Sequence, residues 1–194
     1  MEGERAGAFQ LKFFGSTLLF AIALLGQSPP SPSQPWVIGE IAYRVTVIPD
    51  GSPGARIGLR IGDVLAEPGL LPGRLRQAPP EGVEIPLFRL EGGRYRREKI
   101  RVTFTAGEEK RLGLTGDLGF LVMTVEPGSL AARAELRPGD FIPKIDDTFV
   151  HSVNDLKLID QAYTECKPVA IYFTRWSVET KSYENAVSRP KFEK

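Results

Sequence analysis

The sequence predicts a mainly β, α+β fold built twice behind an N-terminal apolar helix, and three observations carry that reading. Gly51-Ser52-Pro53-Gly54-Ala55-Arg56-Ile57-Gly58-Leu59-Arg60-Ile61-Gly62-Asp63-Val64-Leu65 recurs as Gly128-Ser129-Leu130-Ala131-Ala132-Arg133-Ala134-Glu135-Leu136-Arg137-Pro138-Gly139-Asp140-Phe141-Ile142, at a constant offset of 77 (128 − 51), with eight of fifteen positions identical. A match of that length is an internal duplication. Each copy is followed by a strand-like run, Val83 to Arg89 and Val169 to Arg175. Setting aside 35 N-terminal residues from 194 leaves 159, about 80 per copy, within the size range of compact domains.

The expected organisation is therefore residues 1–35 as a leader and linker, 36–107 as a first domain and 108–190 as a second. No charged residue occurs between Lys12 and Glu40, and Phe13 to Leu25 is a run of thirteen mostly apolar residues. Thirteen is the length of a signal-peptide core and short of the roughly 20 that a span needs, although Gly26 and the uncharged residues to Pro35 leave an uncleaved anchor open. Either reading sends the copies out of the cytoplasm, to a membrane-anchored or secreted, extracytoplasmic location, with membrane contact through residues 13–26 if the segment is retained. Ser28-Pro29-Pro30-Ser31-Pro32-Ser33-Gln34-Pro35 cannot pack and reads as a semi-rigid linker.

Within the copies each repeated residue has a local reason. Ser52 and Ser129 are placed to cap a short helix, with Pro53 at its first position. Leu59 and Leu136 point into a core, and Gly62-Asp63 and Gly139-Asp140 make structural turns before an apolar strand. The copies then diverge. The strands after the repeat stand 86 apart (169 − 83) rather than 77, so copy one is nine residues shorter there. In copy two the extra length holds Ser152 to Tyr163, a Ser-x-x-Asp start followed by apolar residues at 153, 156, 159, 162 and 163, which predicts a capped amphipathic helix. Copy one has Pro68, Pro72, Pro79 and Pro80 in that interval, room for a turn or two of helix. Arg94-Tyr95-Arg96-Arg97-Glu98-Lys99-Ile100-Arg101, after Gly92-Gly93, reads as a solvated basic strand face guarding an edge.

The duplicated segment resembles the Gly-Ser-Pro-Ala-x-x-Ala-Gly-Leu-x-x-Gly-Asp-x-Ile signature of PDZ domains, most closely those of bacterial envelope serine proteases and site-2 proteases. The resemblance implies two partly open β-barrels with short helices, here without a protease domain. It implies binding by strand addition: an extended peptide or protein C-terminus pairs with an exposed strand edge, beside a helix that walls the groove, and its carboxylate sits in a nest of backbone N–H groups. By resemblance only copy two keeps the complete wall, through Val153, Leu156 and Ile159. The nest falls on Leu112-Gly113-Leu114, with Thr115 opening a very short groove strand. Leu118-Gly119-Phe120 is the other such triplet, but it leads directly into the strand Leu121 to Val125. Glu135 stands where copy one has Gly58, and a left-handed backbone there strains a non-glycine residue by roughly 1 to 2 kcal/mol.

Catalysis and nucleic-acid binding are not expected. Net charge is +1, from 25 basic and 24 acidic residues. The chain has neither a Gly-x-Ser-x-Gly elbow nor a His-Glu-x-x-His helix, and its single histidine, His151, reads as a loop residue. Asp146-Asp147 reads as a polar turn, no metal or cofactor motif occurs, and the single cysteine, Cys166, has no partner in the chain. Three functions fit: a membrane-tethered or exported module binding through copy two; an assembly subunit of an envelope complex docking through domain surfaces; or a remnant or regulatory partner of an envelope protease.

Overall fold

The computed structural model describes residues 37–191. The apolar run at 13–26 and the Pro/Ser linker lie outside the described residues. The described residues lie in one compact unit. Its elements in chain order are β1 (Val37–Val47), α1 (Pro53–Arg56), β2 (Val64–Ala66), α2 (Leu71–Arg76), β3 (Val83–Glu91), β4 (Arg94–Val102), β5 (Thr115–Val125), α3 (Leu130–Arg133), β6 (Phe141–Ile145), β7 (Thr148–Phe149), a 3-10 turn (Val153–Leu156), α4 (Lys157–Glu165), β8 (Ile171–Ser177) and β9 (Ser182–Ser188). The expected mainly β character with few short helices is what the structure has. The expected helix at 152–163 is a 3-10 turn running into α4, and β5 starts six residues before the expected Leu121 (121 − 115).

The local signals act as their chemistry requires. Ser52 Oγ accepts from the Ala55 amide at 3.2 Å, and Ser129 Oγ from the Ala132 amide at 3.2 Å. Asp155 starts the copy-two helix by accepting from the Ser152 and His151 amides at 2.8 and 2.9 Å. Those bonds hold its carboxyl below the usual range, the His151 amide contributing most.

The strands run in the order β4-β3-β2-β1-β5-β6-β8-β9, so the two sequence copies meet in one continuous sheet along β1 and β5. The pairing is antiparallel and its register relates the copies: Gly39 lies opposite Val122 and Gly116 opposite Val45, and each of these pairs maps onto the other by the 77-residue offset (116 − 39, 122 − 45). The pair at the centre is Ala42 with Gly119, which are themselves equivalents (119 − 42 = 77). Gly39 and Gly116 sit in tight contact with the facing strand, where a Cβ would run into the carbonyl oxygens of Leu121 and Arg44 respectively.

The sheet curls until its outermost strands touch. Tyr95 of β4 and Tyr183 of β9 bring their hydroxyls to 3.2 Å, and Tyr183 donates to the Gly62 carbonyl at 3.3 Å. Burial, first among the causes, raises both phenol pKa values. Tyr183 leans on the Gly62 turn of copy one, and Tyr95 on the Gly139 turn of copy two. Both turns have positive φ, +91 and +96, which favours glycine, and at Gly62 a Cβ would also run into the Tyr183 ring.

Three apolar clusters hold the unit together. One belongs largely to copy one, around Val45, Leu59, Leu65, Leu75, Ile85 and Leu87, with Leu112 joining it from the second segment. A second belongs largely to copy two, around Phe120, Leu136, Ile142, Ile145, Leu156, Ile159 and Ile171. The third spans the junction with Ala42, Val64, Ala66 and Phe88 from one copy and Leu121 and Phe141 from the other.

Candidate functional site

A cleft of about 570 Å³ opens on copy one between α2 and the chain that enters β5. Its body is apolar, made by Tyr43, Pro68, Leu71, Pro72, Leu75, Leu112 and Leu114. One wall exists because Leu71 and Leu75, four residues apart, turn one face of α2 inward, with Pro72 in the first turn where a proline costs no hydrogen bond. The opposite wall is fixed by Leu112, 4% exposed, whose carbonyl accepts from the Gly54 amide at 2.8 Å. Gly113 turns the chain at φ +64, and Leu114 follows into the cleft.

Next to this cleft runs an open strand edge. Thr115 to Leu118 pair with β1 on one side, whereas β6 takes the other side of β5 only at Phe120 and Leu121. The second edge of Thr115 to Leu118 therefore faces away from β1 with no strand on it among the described residues. Tyr43 lies under this edge with its hydroxyl toward the Gly116 amide, and burial, the leading cause, raises its pKa.

The same geometry recurs in copy two with a different filling. Val37 to Ile41 of β1 pair with β5 on one side, and β2 takes the other side only from Ala42 onward. Here Val37, 8% exposed, and Ile41 pack in the cluster of Leu156, Ile159, Ala162, Leu158 and Tyr163, so β1 lies in the same packed core as the apolar face of α4. Each long strand thus divides its work, its first half lying with the core of one copy and its second half pairing within the other.

The residues singled out in the sequence fall into two places. Leu112, Gly113 and Leu114 line the copy-one cleft, and Thr115 opens β5 beside it. Leu156 and Ile159 are buried in the copy-two core, and Val153 is exposed at the start of its 3-10 turn. The structure does not bring the two sets together. The helix that faces Leu112 and Leu114 is α2, whose signal in the sequence was the Leu71 and Leu75 pair inside the proline-rich interval.

Gly62 and Gly139 lie in turns, and the aspartate after each does more than turn the chain. Asp140 accepts from the Arg137 amide at 2.8 Å and from Arg175 Nε and Nη2, both at 2.7 Å. Asp63 repeats this with the Arg60 amide at 2.9 Å and Arg89 Nε and Nη2 at 3.0 and 2.6 Å. The arginines also reach the carbonyls of Glu135 and Gly58, at 2.8 and 3.0 Å. Glu135 has φ +58, a left-handed backbone, and Arg175 bonds its carbonyl. The partners could have been found in the sequence, because Arg89 and Arg175 occupy the same place at the ends of the two matched runs.

The cleft lining carries three cations, Arg76, Lys110 and Arg111. Lys110 reaches across to the Ala78 carbonyl just beyond α2, Nζ to oxygen 2.7 Å. Arg76 and Arg111 stand beside it, and the one carboxylate in the lining, Glu109, is bound to Arg111 at 2.9 Å. Among the described residues no group of His, Cys, Asp and Glu is placed to hold a metal ion. No helix among them is long and apolar enough to cross a membrane.

Residues 121–167, about a quarter of the chain, match the family model of the PDZ domain. That segment runs from the second half of β5 through α3, β6 and β7 to the residue pair after α4, and it is similar to the PDZ domain, a kind of module that in general binds proteins. No curated protein matches the chain.

Proposed function

We propose that this protein is a non-enzymatic interaction module of two PDZ-like halves that share strands, and that it takes an extended peptide or protein terminus in the copy-one cleft. The ligand adds along the open edge of Thr115 to Leu118, with its side chains against Leu71, Leu75 and Leu114. The observation that carries this reading is the juxtaposition of an open strand edge with a 570 Å³ apolar cleft walled by a helix, the combination that strand addition uses. The apolar run at 13–26 tethers the module to a membrane or directs its export, and places it outside the cytoplasm.

Selection of a displayed peptide library on the full chain tests the cleft. Enriched peptides are expected to lose at least tenfold in affinity with Leu71→Gln or Leu114→Gln, both half-buried positions, and to be indifferent to Val153→Glu. Binders sensitive to Val153→Glu alone would move the site to the 3-10 turn and α4, and a library with no enriched sequence would remove the peptide reading. Sequencing the mature N-terminus after membrane fractionation tests the tether: intact Met1 in membranes means an anchor, a start near Gln27 means export.

A second reading, an assembly subunit docking through its outer surfaces, is favoured by the filled face of α4. A stoichiometric partner retained by both cleft variants would support it.

A further inference from the structure

The chain as a whole is almost neutral, 25 basic against 24 acidic residues, yet the lining of the cleft carries three cations and one carboxylate. Lys110 is tied to Ala78, just beyond Arg76 at the end of α2, and Arg111 follows Lys110 in the chain, whereas Pro68 and Pro72 line the cleft at the start of α2. Lys110 is held in place by the Ala78 carbonyl, which uses one of its three N–H donors and leaves two. Arg111 shares its guanidinium with Glu109, and Arg76 makes no ion pair among the described residues. The lining therefore retains a net charge of +2 (3 − 1) in an otherwise apolar trough. Apolar walls concentrate the field of such a cluster, and it acts on a ligand lying along the trough more strongly than the same charges on an open surface.

From this we infer that the partner of the cleft is an acidic extended segment: one or two apolar side chains that seat against Leu71 and Leu114, followed by Asp or Glu side chains that meet Arg76, Lys110 and Arg111. The inference rests on the reading of the cleft as a peptide site and adds to it the charge that selects the partner. The carboxylates are side-chain groups within a segment, so a free chain terminus is not required. Their contribution is mostly to selection and to the rate of encounter, because the three cations remain exposed at the rim.

The experiment uses the full chain in non-ionic detergent and three fluorescent peptides, acetylated and amidated, sharing one Val/Leu core and carrying flanks of Glu, Gln or Lys. The Glu peptide is expected to bind about tenfold more tightly than the Gln peptide at low salt, with the Lys peptide weakest. Raising the salt concentration should remove most of that preference as the screening length falls below about 10 Å. Arg76→Gln, Lys110→Gln and Arg111→Gln should each weaken the Glu peptide about three- to fivefold and leave the Gln peptide unchanged. Equal binding of all three peptides, still abolished by Leu71→Gln, would overturn the acidic partner and leave the cleft as a peptide site. Gain of binding only when the peptide terminus is left as a free acid would likewise overturn it. Failure of every peptide, including the strongest library binder, would overturn the cleft reading itself.

Discussion

Replacing Arg175 by methionine isolates the clamp that fixes the Gly-Asp turns. Asp140 is fully buried and has three donors, of which Arg175 supplies two, at 2.7 Å each. Methionine keeps most of the side-chain length, so the loss is of charge and hydrogen bonds. Charge-assisted bonds contribute about 1.5 to 3 kcal/mol each, and breaking a buried pair so that one charge stays behind costs about 3 to 5 kcal/mol. Arg175 is 28% exposed, which puts the expected loss at the lower end, about 3 kcal/mol. In a unit of this size that is a fall of about 6 to 12 °C in melting temperature. Urea unfolding of the full chain at neutral pH, followed by circular dichroism, measures it. The decisive comparison is Arg175→Met with Asp140→Asn. The asparagine oxygen still accepts from the Arg137 amide, 2.8 Å away, and leaves no buried charge, so the double variant should be more stable than Arg175→Met alone by about 1 kcal/mol or more. A double variant at or below the stability of the single one would refute the account in terms of an uncompensated charge.

The other expectations concern single positions. Glu135→Gly should stabilise the chain by about 1 kcal/mol in the same unfolding assay, because glycine releases the left-handed strain at φ +58 and loses some of that gain to its extra unfolded freedom. Glu40 has a buried, unpartnered Oε1 and a pKa raised chiefly by burial, with Arg97 opposing. The stability that its protonated form contributes is present below the unfolded pKa and disappears as the pH rises through the folded one. Glu40→Gln should therefore raise the melting temperature at pH 7, by less than about 1 kcal/mol in stability, and leave it unchanged near pH 4. Asp155 has the opposite sign. Its lowered pKa means that its contribution to the helix start is present above the unfolded carboxyl pKa and is lost as the pH falls through the folded value, and Asp155→Ala should cost about 1 kcal/mol at pH 7, with faster amide exchange in α4.

Much of the fold was legible because it is written in short-range chemistry. Ser52 and Ser129 cap, Gly62 and Gly139 turn, and Ser152 with Asp155 starts a helix, all within four residues of the groups they bind. The missing groove strand was legible only as a discrepancy: Leu118-Gly119-Phe120 runs straight into Leu121 to Val125, with no room for a separate strand. The structure resolves it over a long range, by pairing Thr115 to Leu118 with β1, some 70 residues away in the chain. Period-two alternation could not signal that strand, because Gly116 and Gly119 interrupt it for the sake of close contact with Arg44 and Phe141. The helix α2 was masked in the same way. Four prolines suggested a broken segment, whereas Pro72 lies in the first turn, where its missing N–H is not needed, and Pro68, Pro79 and Pro80 all fall outside.

Sharing strands also explains how copy one can be shorter by nine residues and yet be the copy with the open cleft. In copy two the longer helix places Leu156, Ile159 and Ala162 against Val37 and Ile41, and that contact fills the space beside the first half of β1. In copy one the helix is six residues long, and it meets Leu112 and Leu114 without filling the space beside the first half of β5. The lost residues are therefore not the decay of a binding groove. Shortening one helix across a nearly two-fold junction leaves one trough filled by the protein's own helix and the other open. The open trough is edged by Thr115 to Leu118, and their strand continues into the segment at 121–167 that matches the PDZ model, so a ligand added on that edge would pair with a strand running through that segment.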